Sequence, residues 1–561
     1  MAHLQFNSGN YTYSESILTR YDLIDRRTEA RYLAANCNVK QGKFAEALAQ
    51  LGNETPQHVQ HLLWEEGRPK KARMPATSNG FGKSNDGHSS AEALRDSERR
   101  FEASMCYLRG ICHAKRNAFD QAKSCYKDAV RIDIRCFEAF DQLMRNSLLS
   151  PDEEWEFLAS LNFDSVSNAE DISAAQEAGE LTKMLYTTRM SKYGHAKDFA
   201  HTVETLATHY KLGSNHDILL AKAETQFTKC NFRGTLALTS KILEDDRYNF
   251  AVLPVHLACL YELGERNALH LLSEDFTANH PEEPASWLAV GVYYLNIGKI
   301  AEARRYFSKA SIMDTHFGPA WIGFAHTFAA EGEHDQATSA YTTAARLFQG
   351  SHLPQLFLGM QQLQLHNMEL AREYLDTAKQ LCPIDPLVLN EIGVTYYQED
   401  DLVKAIEYFL KALKVSEENG SDSKARLATR SNLAHAYRRA NELDAALVEF
   451  DEVLRGGSKD VGIYTTKAMI LMDLGQPKEA IQTVHEALAL NPQDAQANDL
   501  LAKALEEAGS AGGVEDANMD EIDHALHVSM QNANHRSPRR KGKGKQPAKV
   551  ARNEFDDMDL A

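Results

Sequence analysis

Between Ser286 and Leu413 the chain repeats itself with a period of 34 residues. Ala303, Ala337, Ala371 and Ala405 fall into register, and three further ladders keep the same step. One is Gly291, Ala325, Gly359 and Gly393; another is Phe307, Tyr341, Leu375 and Phe409; the last is Ala310, Ala344, Ala378 and Ala412. Trp287 and Trp321 stand at the head of the first two copies. Small and bulky residues at fixed offsets in so short a period leave few folds open. Two antiparallel helices approach closely only where side chains are small, so the Gly or Ala of a first helix should face the Ala of a second. The bulky residues, at helical spacing, then fill the groove against the next copy.

This is the tetratricopeptide pattern. One such unit cannot bury its own apolar face, whereas stacked copies share a continuous core. The expected fold is all-α: an α-solenoid, or superhelix, of tetratricopeptide repeats with a disordered insert and a disordered C-terminal tail. A length of 561 residues would suggest several globular domains, but a solenoid reaches it as one elongated body.

Read in order, residues 1–66 are an N-terminal repeat segment. Phe6 to Leu18 reads as the turn and second helix of a repeat whose first helix is missing, which predicts more repeat upstream in the natural chain. Residues 67–91 are polar, Gly/Ser/Asn-rich and aperiodic, and are expected to be a disordered insert. Repeats resume over 92–161, where Ser150-Pro151 marks a helix start. An irregular break follows at 162–180, degenerate repeats at 181–283 and the four strong copies at 284–417. An insert is expected at 418–426, two repeats at 427–494, a capping helix at 495–509 and a charged disordered tail at 510–561. The count expected is ten to twelve helix pairs.

Several function classes find no support. A net charge of −18 argues against nucleic acid as partner. No apolar run approaches the ~18 residues of a membrane span, and the first twenty residues lack a signal peptide. The eight cysteines form no CxxC and read as small buried apolar residues of a reducing compartment. Gly82-Lys83-Ser84 lacks the earlier glycine of a phosphate loop, since position 77 is Thr77. His326 and His334 read as hydrogen-bonded solenoid histidines. No catalytic residue, metal ligand or cofactor is expected, and the chain reads as a non-enzyme.

A binding surface remains. First helices of such repeats line a concave side along which extended peptides lie. The groove candidates are Asn390, Tyr397 and Arg438, with Asn432 and His435 close by; the alternative is that they simply face water. The clamp for chaperone tails would want Lys and Asn where Leu288, Ile322, Leu356 and Val394 stand. In the tail, Ser537 precedes Pro538 with a basic residue beyond, a candidate for proline-directed phosphorylation. The alternative is an incidental Ser-Pro in a basic nuclear-import patch from Arg539 to Lys549.

Residues that the repeat does not require say more. Gly318 to Gly359, with its Glu333-His334-Asp335-Gln336-Ala337 turn and His352-Leu353-Pro354, closely resembles the tetratricopeptide subunit of the anaphase-promoting complex (cyclosome) of the cell-division-cycle-sixteen type. So do PVHLACLYELG, PASWLAVGVYYLNIG and CFEAFDQL, and the likeness spans about Arg31 to Leu505. The resemblance implies a non-catalytic scaffold subunit of a ubiquitin ligase that marks cyclins and anaphase inhibitors for destruction, in nucleus and cytoplasm. It implies stacking on sister tetratricopeptide subunits, a very small accessory subunit held in the C-terminal groove, and homodimers through the N-terminal repeats where these are complete. The rival reading is a stand-alone tetratricopeptide adaptor or co-chaperone-type peptide binder.

Overall fold

The computed structural model describes residues 1–52, 86–163, 166, 172–191, 193, 195–457 and 459–511. These form helices and no strand. The helices are α1 (Ala2–Asn7), α2 (Tyr11–Arg20), α3 (Thr28–Lys40), α4 (Phe44–Leu51), α5 (Asp86–Lys115), α6 (Phe119–Ile132), α7 (Phe137–Arg145), α8 (Pro151–Ser160) and α9 (Ile172–Arg189). There follow α10 (Ala196–Thr208), α11 (His216–Thr228), α12 (Phe232–Asp245), α13 (Leu253–Leu263), α14 (Arg266–Asn279), α15 (Pro284–Asn296), α16 (Ile300–Met313), α17 (Gly318–Ala330) and α18 (His334–Leu347). The last are α19 (His352–Gln364), α20 (Met368–Leu381), α21 (Pro386–Gln398), α22 (Leu402–Asn419), α23 (Ser423–Arg439), α24 (Leu443–Arg455), α25 (Val461–Asp473), α26 (Pro477–Leu490) and α27 (Ala495–Ala511). They fall into two units, Met1–Lys459 and Asp460–Ala561.

In the first unit odd- and even-numbered helices pair, and the strong copies show why. Ala303, Ala310, Ala337, Ala344, Ala371, Ala405 and Ala412 are fully buried, as are Phe307 and Leu375. A Cβ on Gly291 would lie 2.6 Å from the Phe307 ring, and one on Gly393 would lie 2.6 Å from that of Phe409. Gly359 stands in the same relation to Leu375. The bulky residue of the second helix thus occupies the space that a side chain on the first would need. Trp287 and Trp321 sit half-buried on the preceding connections, donating Nε1–H to the carbonyls of Pro281 (2.8 Å) and Thr315 (3.0 Å). Polar links join successive copies too: Arg304 pairs with Glu331, and Arg372 with Glu399.

Several boundaries differ from those expected. Before the turn and second helix read over Phe6 to Leu18 stands a short first helix: the turn lies at Ser8–Asn10, where Gly9 has φ +80°, and α1 and α2 form a small pair tied by Ser14 Oγ donating to the Ala2 carbonyl at 2.9 Å. Helix α5 begins at Asp86, inside the expected insert at 67–91, and α9 begins at Ile172, inside the expected break at 162–180. The insert expected at 418–426 is mostly helix with a short turn in its middle: α22 runs to Asn419, Gly420 caps it in the left-handed conformation, and α23 starts at Ser423. Burial of Ser416 and Thr429 shows that these extensions are packed, so their polar composition misled. With α1/α2 included, the described residues make thirteen pairs rather than ten to twelve. The rest of the insert and the tail from 512 lie outside the described residues.

A further set of contacts joins parts of the first unit distant in sequence. The α5/α6 turn meets the α16/α17 connection: His316 Nε2 donates to the Ala114 carbonyl (2.9 Å, 202 residues apart), and Lys115 reaches Asp314 (3.4 Å). The α7/α8 turn meets the α18/α19 connection, where the Gly350 amide donates to the Ser147 carbonyl at 2.7 Å. The α11/α12 turn meets the α22/α23 connection: Ser421 Oγ donates to the Lys229 carbonyl (2.6 Å) and the Asp422 amide to that of Cys230 (2.9 Å). Each time, the turn inside one pair touches the connection between two pairs that come five to six pairs later.

In the second unit, α25 and α26 pair through buried Ala468, Ala480 and Ala487. Helix α27 packs on both and buries Ala497 and Ala504, while Leu505 stays half-exposed.

Candidate functional site

Which side of the first unit is inner follows from its contacts. First helices of successive pairs touch one another: α11 with α13, α13 with α15, α15 with α17, α19 with α21 and α21 with α23. Successive second helices show no comparable contact among the described residues. The array is therefore tighter on the side of the first helices, and their exposed residues line a concave face.

On α21 and α23 this face carries a polar chain. Asn432 Nδ2 donates to Asn390 Oδ1 at 3.1 Å, and Asn390 Nδ2 donates to Glu391 Oε1 at 2.9 Å. Asn390 is buried, while Glu391 and Asn432 keep part of their surface. One turn further on, Arg439 Nη1 donates to the Tyr397 carbonyl at 2.9 Å. Its guanidinium lies 5.0 Å from the Tyr397 ring centroid and 3.1 Å from Asp400.

Of the groove residues expected from sequence, the structure thus joins Asn390 to Asn432 directly and sets Tyr397 against Arg439. His435 packs its ring edge-on against Phe450 of α24, 5.2 Å between centroids, within its own pair. Arg438 is exposed in the last turn of α23. Sequence reasoning passed over Arg439 and Glu391. A signal for the latter was present, because Glu391 is the sole charged residue in PLVLNEIGVTYYQ.

Burial tunes the titratable groups of this region. The Glu391 carboxyl is pushed up to about 7 by desolvation, which the Asn390 hydrogen bond only partly offsets. His326, on α17, is pulled down to about 4 by burial, so the neutral ring takes a hydrogen bond from Tyr341 Oη at 2.5 Å. His334 bonds Gln361 at 2.9 Å. Both histidines are linked into the repeats by these bonds. Among the described residues, no group of three or more His, Cys, Asp or Glu could hold a metal ion, and no helix is long and apolar enough to cross a membrane. The surface is suited to holding a chain: it offers carboxamides, an aromatic ring and charged ends along a groove.

Tetratricopeptide repeat models match residues 386–456, 437–504 and 103–133. The chain is 42% identical to anaphase-promoting complex subunit cut9 of Schizosaccharomyces pombe, covering 96% of this chain and 76% of that protein. It is 36% identical to anaphase-promoting complex subunit CDC16 of Saccharomyces cerevisiae, over 90% of this chain and 58% of that one. With anaphase-promoting complex subunit 6 of Arabidopsis thaliana the identity is 33%, over 90% and 89%. Among solved structures, the crystal structure of the APC/C hetero-tetramer Cut9-Hcn1 superposes with a TM-score of 0.73 at 42% identity, covering 90% of this chain and 89% of that one.

Proposed function

The chain belongs to the Cut9/CDC16/APC6 family of anaphase-promoting complex subunits, and on that premise we propose what it does. It is a tetratricopeptide scaffold subunit of the anaphase-promoting complex, and so takes part in ubiquitin-dependent cell-cycle progression. The match to cut9 along nearly the whole chain carries this reading. Its role is mechanical and not catalytic: it presents surfaces on which other chains are ordered, and the ligase chemistry is supplied elsewhere in the assembly.

Two finer points belong to the same proposal. The concave face around Asn390, Tyr397 and Asn432 holds an extended segment of a small accessory partner. The support is the open polar chain on that face, together with the naming of the cut9 structure as a Cut9-Hcn1 hetero-tetramer. Where they are complete, the N-terminal repeats mediate homodimerisation, a reading supported by the exposure of Leu4 on α1 and Tyr13 on α2. The chain works in nucleus and cytoplasm.

Tagging the chain at its own locus and identifying what co-elutes tests the whole. The expected result is a large assembly of anaphase-promoting complex subunits with ubiquitin-ligase activity. Recovery of the chain alone as a soluble monomer would overturn it. Light scattering on the purified chain tests the dimer separately.

A further inference from the structure

Glu391 stands apart from the other carboxylates around α21. Asp385, at the start of the helix, pairs with His352 at 3.1 Å. Glu399 pairs with Arg372, and Asp400 with Arg439. Glu391 has no basic side chain so placed among the described residues. One of its oxygens receives the Asn390 carboxamide; the other keeps contact with solvent and accepts from no described donor.

A carboxylate withdrawn from water without a counter-charge is costly, and a group so placed gains most from a cation that arrives with a ligand. We propose that Glu391 is a cation subsite of the concave face, taking an ammonium or guanidinium group of the extended chain laid along it. The inference rests on the groove reading above.

The geometry fits that task. The polar chain from Asn432 through Asn390 directs its amide hydrogens toward Glu391, so one carboxylate oxygen is oriented and the other is left for the ligand. An N–H donor of a charged group gives the shorter and stronger kind of hydrogen bond there. The carbonyl oxygen of the Asn432 side chain, not used in that chain, remains to accept a peptide N–H beside the cation. The raised pKa of Glu391 has the same origin: burial unopposed by any positive neighbour. Closing a bound cation onto it would restore the ionised form.

The source of the cation is either a chain amino terminus or a Lys or Arg side chain, and the probe separates them. Full-length chain, wild type and Glu391→Gln, is titrated with fission-yeast Hcn1 polypeptide. The polypeptide is used with a free amino terminus, with an acetylated one, and with each Lys or Arg changed in turn to Gln. The expected result is an affinity loss of about tenfold or more for E391Q. One Hcn1 form should show a matching loss against wild type, with no additional loss when combined with E391Q. If acetylation is that form, the terminus is the cation; if one side-chain change is, that side chain is. Equal affinity of E391Q and wild type overturns the subsite but leaves the groove standing, as does an E391Q loss that no Hcn1 form shares. Failure of unmodified Hcn1 to bind the wild-type chain overturns the groove reading itself. Circular dichroism of E391Q, and a Glu391→Asp variant that keeps the charge and should retain most of the affinity, separate lost recognition from lost folding.

Discussion

The Gly350 amide donates to the Ser147 carbonyl at 2.7 Å, joining the α18/α19 connection to the α7/α8 turn. No side chain fits there, since a Cβ on Gly350 would overlap the Leu149 carbonyl oxygen. Gly350→Ala is expected to separate the two connections and to destabilise the first unit by about 1–3 kcal/mol. Denaturant titration measures the loss, and hydrogen exchange should rise first at the Gly350 amide. Unchanged protection there would show that the neighbouring backbone yields without cost.

Ala337 is fully buried between α17 and α18. Ala337→Leu forces three more carbon atoms into a closed helix contact, or shifts the pair apart. A cost of about 1–3 kcal/mol is expected, seen as a lowered unfolding midpoint. An unchanged midpoint would mean that the contact tolerates side-chain volume.

Asn390 and Asn432 meet on the concave face. Replacing both by Leu should release the small partner while helix content by circular dichroism stays at the wild-type level. Undiminished co-purification of the partner would exclude this face as its seat.

His256 is buried on α13 and held at about 4 by desolvation, its Nδ1 at 2.9 Å from Thr239 Oγ1. Its folded value lies below the ordinary imidazole value near 6.5. The unfolded chain therefore takes up the proton first as pH falls. The stability that the neutral ring contributes is complete above about pH 6.5 and is lost toward pH 4, on the order of 3 kcal/mol. His256→Gln should flatten this part of the stability-against-pH curve. Parallel curves for variant and wild type would assign the acid sensitivity elsewhere.

Ser537 lies outside the described residues, and its phosphorylation by a proline-directed kinase is proposed on Ser537-Pro538-Arg539-Arg540 alone. The phosphate would add about −1.5 to −2 charges to a basic block. Mass spectrometry of the chain from mitotic and interphase cells should find the modified peptide enriched in mitosis; only unmodified Ser537 in mitotic material would refute it.

The all-α repeat fold was legible because its key contacts recur. Ala303 meets its environment again at Ala337, Ala371 and Ala405, so four copies of one steric requirement stand in register. What occurs once was not legible. The stretch 418–426 looks like a polar insert, yet its helical ends pack, and the reason is a tertiary neighbour: Asp422 rests on Cys230 and accepts from the Arg233 amide at 3.0 Å. On the concave face, position within the repeat was enough to point to Asn390 and Tyr397. It could not say that Asn432 would bridge to the first, that Arg439 rather than Arg438 would reach the second, or that Glu391 would lack a cation.

The contacts of His316, Gly350 and Asp422 also bear on how such a chain can evolve. An array held only by nearest neighbours can gain or lose a unit anywhere, because every junction looks alike. Here the α5/α6, α7/α8 and α11/α12 turns must each arrive opposite a particular later connection. Deleting one helix pair between them would leave His316, Gly350 and Asp422 facing the wrong partners together. The spacing between these contacts thus works like the tooth count of a gear: drift in sequence is tolerated along it, but a change in number is not.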